Sequence, residues 1–334
     1  MIRYIIATFL LFISISPINA QQNYPSTLTV AQDGSGDYKT IQAAVNSVRD
    51  LGQKRVKIFI KKGIYKEKVI IPSWKTNISL IGESAASTVI TGNDFSGKPV
   101  PNGKDNLGLE KFSTYTSYTL LVQGNDVVLE NLTIENTAGR VGQAVALHVE
   151  GDRTVVKNCR ILGNQDTLYT SKEESRQYYE NCEIEGTTDF IFGEATCVFQ
   201  SCTIRSLTNS YITASAQREA QRFGYVFFDC KLIANAEANK VYLGRPWRSY
   251  AKTVFIRTEM GAHIIPEGWN PWPGDKMFPN KEKTAYYAEY QSKGPGANAE
   301  KRVEWSKQLS KKQAKQYTLE NIFSKDLNWI PKVD

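Results

Sequence analysis

The chain has 334 residues, 41 Lys and Arg against 34 Asp and Glu, a formal net charge of +7 at pH 7, and 41% hydrophobic residues. That length and apolar content, with no long Gly-Ser or Pro-rich linker, favour one large domain over two. The only histidines are His148 and His263 and no C-x-x-C pair occurs, which speaks against a cysteine–histidine metal site and against a Ser-His-Asp triad.

Arg3, an uncharged apolar stretch from Tyr4 to Ile18, Asn19-Ala20 and then a polar Gln21-Gln22-Asn23 read as a secretory signal peptide over residues 1–20, cleaved after Ala20. The stretch is too short and wrongly flanked for a membrane span, and no cysteine follows it to carry a lipid. Residues 21–334 then form a single domain, secreted or periplasmic, with about +6 once Arg3 is removed. A basic exported protein suits a polyanionic partner, and an acidic polysaccharide fits both facts. Nucleic acid fits poorly, since no basic stripe interleaved with aromatics is present.

The next element is helical. From Thr40 the run T-I-Q-A-A-V-N-S-V-R-D-L-G places Ile41, Ala44, Val45 and Val48 on one face, opens on an N-cap threonine and closes at Gly52. Beyond it the pattern changes to period two and to a repeat: E-N-L-T-I at Glu130, K-N-C-R-I at Lys157, E-N-C-E-I at Glu180, Q-S-C-T-I at Gln200 and F-D-C-K-L at Phe228. Short β-branched and aromatic alternations recurring every 20 to 28 residues mark a solenoid of strands, not of helices. The expected fold is all-β, a right-handed parallel β-helix whose open end is covered by the Thr40 helix, with a helical tail from Ser310. Lys311, Lys312 and Lys315 of that tail form a solvated face.

Four of the five cysteines, Cys159, Cys182, Cys202 and Cys230, occupy the repeat position, where a small apolar side chain stacks inside a coil. With Cys197 they are expected to form a partly reduced internal ladder, with room for one or two bridges, and no catalytic thiol. Asp166 and Asp189 each follow their repeat cysteine by seven residues and so fall on neighbouring turns, about 4.8 Å apart in backbone. Two carboxylates that close do not both ionise cheaply, which is the starting point for acid–base and nucleophilic chemistry.

The segments around them are G-Q-A-V-A-L at 142–147, G-N-Q-D-T-L-Y at 163–169, D-F-I-F-G at 189–193 and L-G-R-P-W at 243–247, preceded by G-I-Y-K-E at 63–67. Together they resemble the pectinesterase (pectin methylesterase) family from about Thr27 to the C-terminus, in a short form without an inhibitor-like segment and closer to bacterial members. The resemblance implies a carboxylic ester hydrolase that removes methyl esters from galacturonate units of methylated homogalacturonan, giving pectate and methanol, without a cofactor or metal. By it, Asp189 is the nucleophile, Asp166 the general acid and then base, Gln143 and Gln165 the oxyanion donors, and Arg245 the group that orients Asp189 and keeps it ionised. Trp247 and Trp269 are implied to border the cleft against sugar rings, whereas Phe190 and Phe192 read as core. Glu194, where the family commonly has asparagine, adds an acid near the cleft.

Other β-helix readings remain open at this point. A polygalacturonase needs carboxylates roughly 6.5 to 9.5 Å apart, wider than adjacent turns supply. A pectate lyase commonly needs calcium held by clustered acids, and none is evident. A non-catalytic polysaccharide-binding β-helix leaves all the polar site residues incidental. The protein is expected to be a monomer, and N-I-S at Asn77 and N-L-T at Asn131 are glycosylation sequons only in a eukaryotic source.

Overall fold

A computed structural model describes residues 24–101, 103–323 and 329–331. The signal-peptide expectation for residues 1–20 lies outside the described residues. The chain winds as a right-handed parallel β-helix whose strands, among the described residues, form three sheets of eleven, eight and seven strands, all paired in parallel. One turn runs through Thr154–Lys157, Arg160–Leu162 and Leu168–Thr170, and the next through Arg176–Glu180, Glu183–Gly186 and Ile191–Gly193.

The repeat is the corner between the first and second strands of each turn. Its second residue takes a left-handed backbone: Asn131, Asn158, Asn181, Ser201 and Asp229 have φ of 56°, 52°, 51°, 55° and 53°. Short polar side chains tolerate that conformation best, so an Asn, Asp or Ser there turns the strand through the corner. The following residue points inward, which is why Cys159, Cys182, Cys202 and Cys230 are all buried. Next comes the central column Ile134, Ile161, Ile184, Ile204 and Leu232, paired turn on turn and at most 1% exposed. On the eleven-stranded side Tyr179, Phe199, Phe227 and Phe255 stack with centroids 4.4–4.8 Å apart. All five thiols are free, and burial pushes those of Cys159, Cys182, Cys197 and Cys202 up, so the ladder is a packing device with no bridge.

The capping helix is shorter than its sequence pattern. It spans Ile41–Ser47, with the Thr40 hydroxyl accepting from Ala43 N, and Val48 is already extended at ψ 138°. The stop comes from tertiary structure: the buried Lys75 ammonium takes the carbonyls of Asn46 and Val48, so the helix closes well before Gly52. Glu67, from the G-I-Y-K-E segment, accepts from Ile41 N (3.0 Å) and Gln42 N (3.1 Å) and thereby holds the helix start over the open end of the coil. At the other end, Lys311–Ala314 and Leu319–Phe323 form the helical tail, with a capping box between Ser310 and Gln313. Ile322 and Phe323 pack on Tyr178, Val198 and Val226, on the outer face of the eleven-stranded sheet.

Candidate active site

The outer face of the seven-stranded sheet carries the site. Asp166 and Asp189 each lie two residues before a strand of that sheet, and those strands pair Leu168 with Ile191 and Tyr169 with Phe192. The two acids therefore occupy equivalent places on adjacent turns, about 4.8 Å apart in backbone. Both have a left-handed backbone, with φ of 64° and 48°, and both are buried, at 8% and 6% exposure. Two strained non-glycine positions side by side are maintained because the turn on either side is hydrogen-bonded to its neighbour, Asp166 N to Thr188 O and Asp189 N to Tyr211 O.

Arg245 binds Asp189 through two parallel bonds, Nε to Oδ1 at 2.9 Å and Nη2 to Oδ2 at 2.6 Å. Its guanidinium is sandwiched between the rings of Tyr211 (4.0 Å) and Trp272 (3.5 Å), so the fork is held in plane as well as charged. Gly244 positions it: a Cβ there would stand 2.0 Å from Thr213 Oγ1, so only glycine lets the Tyr242–Gly244 strand lie this close to its neighbour. Lys281, buried and 2.6 Å from Asp275, adds a second positive charge that acts on Asp189.

The electrostatics separate the pair. Burial pushes Asp166 well above the usual carboxylate range, and the charge of Asp189 pushes it further. Burial raises Asp189 too, but the Arg245 hydrogen bonds and charge pull against it. Burial and the neighbouring charge thus push Asp166 further up than Asp189, whose rise Arg245 opposes, so of the two adjacent carboxyls Asp166 holds a proton the more readily. Gln143 and Gln165 pair as a parallel bridge on the turn beside Asp166. Both are half-buried, and neither amide is tied to another described group, so both are free to donate to a bound ligand.

Around the acids runs an aromatic wall: Tyr169 stacks on Phe192 at 4.5 Å, and Phe192 meets Trp247 edge-on at 5.8 Å. Two expectations change here. Trp269 is 1% exposed and packs between Phe255 and Tyr287 inside the coil, at 5.9 and 4.3 Å, so it does not reach the cleft. Phe190 is core as expected, but Phe192 faces out with Tyr169 and Ala214. The two phenylalanines diverge because Phe190 lies in the turn after Asp189, before the strand alternation begins at Ile191. Glu194 is half-buried at the end of that strand, close enough to Tyr169 and Arg248 to interact electrostatically, and its Oε2 has no partner among the described residues. Sequence reasoning missed Tyr169, Tyr211, Trp272 and Lys281; a Tyr three residues after Asp166, matching Phe192 after Asp189, was the one available signal.

The pectinesterase family profile matches residues 27–326 of this sequence. The chain belongs to the pectinesterase family. A pectinesterase of Petunia integrifolia is 38% identical over 93% of this chain and 83% of its own length. Probable pectinesterase/pectinesterase inhibitor 64 of Arabidopsis thaliana is also 38% identical, over 92% of this chain, which spans only 53% of that relative's length. Among solved structures, carrot pectin methylesterase superposes with a TM-score of 0.79 at 35% identity, covering 88% of this chain and 92% of the carrot protein. Pectin methylesterase PemA from Erwinia chrysanthemi gives 0.78 at 28% identity, covering 93% and 99%. A pectin methylesterase in complex with a hexasaccharide gives 0.78 at 29% identity, covering 92% and 98%.

Proposed function

We propose that this pectinesterase-family chain is a carboxylic ester hydrolase that removes methyl esters from galacturonate units of pectin, giving pectate and methanol. The observation that carries the reading is a buried carboxylate held by a two-point arginine fork beside a second carboxyl that burial pushes well above the usual carboxylate range. A carboxylate oxygen of Asp189 attacks the C6 carbonyl carbon, and Gln143 and Gln165 donate to the oxygen that becomes negative. As the tetrahedral centre collapses, the bond to the methoxy oxygen breaks and Asp166 gives its proton to leaving methanol. The result is an anhydride between Asp189 and the sugar acid. Asp166, now a carboxylate, takes a proton from water as that water attacks the same carbonyl, releasing galacturonate and free Asp189.

Trp247 and its aromatic neighbours offer flat apolar surface to the C–H faces of pyranose rings. Export to the periplasm or beyond, following removal of residues 1–20, and action as a monomer complete the proposal. Methanol release from highly methylated pectin, with viscosity followed in parallel, tests it on the wild type and Asp189→Ala. Methanol without early viscosity loss, abolished in the variant, is expected. Viscosity loss or new reducing ends without methanol would move the chain to the polymer-cleaving β-helix enzymes.

A further inference from the structure

Trp269 lies in the core, and the chain then leaves it as a strap of residues 270–285 beside Tyr242–Gly244, the terminal strand of the seven-stranded sheet. Both ends of the strap are fixed. Asn270 N donates to Gly244 O at 3.1 Å, and Tyr286 N donates to Ala251 O at 2.8 Å where the strand Tyr286–Tyr290 begins. Between them Pro273, Gly274, Lys276, Met277, Pro279 and Asn280 are exposed. Lys281 is the exception, a charged residue at 1% exposure whose side chain has 0%.

Burying an ammonium group is costly, and this one also faces Arg245 and Arg248, both of its own sign. Two contacts hold it there: Asp275 Oδ2 at 2.6 Å, and the Trp272 ring, whose centroid is 4.3 Å from Nζ. Asp275 uses its other oxygen to accept from Met277 N at 3.0 Å and Phe278 N at 3.2 Å, so one carboxylate both closes the strap and anchors the lysine. Trp272 has a φ of 58°, a left-handed backbone that a bulky residue adopts only where its surroundings impose it. Asn270 Oδ1 accepts from Trp272 N at 2.8 Å and so helps to fix that turn. The ring is thereby set with its centroid 3.5 Å from the Arg245 guanidinium.

An apolar side chain would fill the Lys281 position without a buried charge, but it would grip neither Asp275 nor the face of Trp272. We infer that Lys281 is a positioning residue for the ester hydrolysis: clamped between Asp275 and Trp272, it keeps the tryptophan ring against Arg245 and so steadies the two-bond fork on Asp189. This rests on the reading of Asp189 as the nucleophile. Asp275 offsets the Lys281 charge at close range, so what the clamp gives Arg245 is chiefly a fixed neighbour.

Methanol release from methylated pectin by Lys281→Met, alone and combined with Arg245→Lys, tests this. Alone, the substitution is expected to lower kcat on the order of tenfold, the loss of one cation–π contact and one ion pair behind the fork, with KM within about twofold of wild type. Combined with Arg245→Lys, which has no fork to steady, it is expected to lower kcat by less than about threefold. Asp275→Asn keeps an acceptor for Met277 N and Phe278 N and weakens only the ion pair; it is expected to lower kcat about threefold at unchanged KM. Equal losses of kcat on the two backgrounds, or a loss that falls on KM, overturns the inference. So does a kcat within twofold of wild type in Lys281→Met or, where that variant does not fold, in Asp275→Asn. In each case methanol release by the wild type leaves the esterase reading standing. No methanol from the wild type would instead remove that reading, and the role of Lys281 with it.

Discussion

Replacing Arg245 with lysine keeps the positive charge and removes the planar fork. In the wild type two bonds of 2.9 and 2.6 Å hold both Asp189 oxygens, and the guanidinium lies flat between Tyr211 and Trp272. Lysine retains at most one of the two bonds and cannot stack. A hydrogen bond to a charged group is worth about 1.5–3 kcal/mol and the lost stacking about 0.5–1 kcal/mol. The sum, about 2–4 kcal/mol, corresponds to a roughly 30- to 1,000-fold fall in kcat. Because the same bonds pull Asp189 down against burial, weakening them lets its pKa rise. The acid limb of the rate profile, which needs ionised Asp189, is expected to move to higher pH. Methanol release at saturating pectin across pH measures both quantities. A kcat within threefold of wild type with an unmoved acid limb would refute the argument that the fork, and not charge alone, prepares the nucleophile.

Asp166→Asn is expected to abolish turnover while raising Tm at neutral pH. A carboxyl whose folded pKa is raised costs stability as pH climbs from its unfolded value through the folded one, and asparagine avoids that cost. An increase of a few degrees corresponds to about 1 kcal/mol in a chain of this size, and a fall in Tm would contradict the assignment. Trp269→Ala is expected to lose about 3–5 kcal/mol of stability in chemical denaturation while the KM for pectin stays within twofold, because the ring is core. A large KM increase at full stability would return Trp269 to the cleft. Under native conditions a thiol reagent is expected to modify none of the five buried cysteines, and all five after unfolding without reductant; fewer than five would reveal a bridge.

Much of this fold is written locally along the chain. The recurring Asn-Cys corner, the period of the strands and the equal offsets of Asp166 and Asp189 are one-dimensional facts, and in a solenoid each turn contacts chiefly its neighbours, so sequence spacing translates directly into spatial stacking. The pairing of acids on adjacent turns is therefore legible from residue spacing alone, and the family resemblance points to Arg245 and the two glutamines. What lies outside regular strands is not legible. Trp269 and Trp272 are three residues apart in an irregular stretch, and no periodicity says that one enters the core and the other covers Arg245. Likewise the capping helix has the sequence to run to Gly52, and ends at Ser47 because Lys75 arrives from the next turn to take its carbonyls. Spacing along the chain set the repeat, the corner and the pair of aspartates. Only the folded coil decided which of the two acids is pushed further above the usual carboxylate range, since burial and the arginine fork are long-range properties that arise when distant segments pack together.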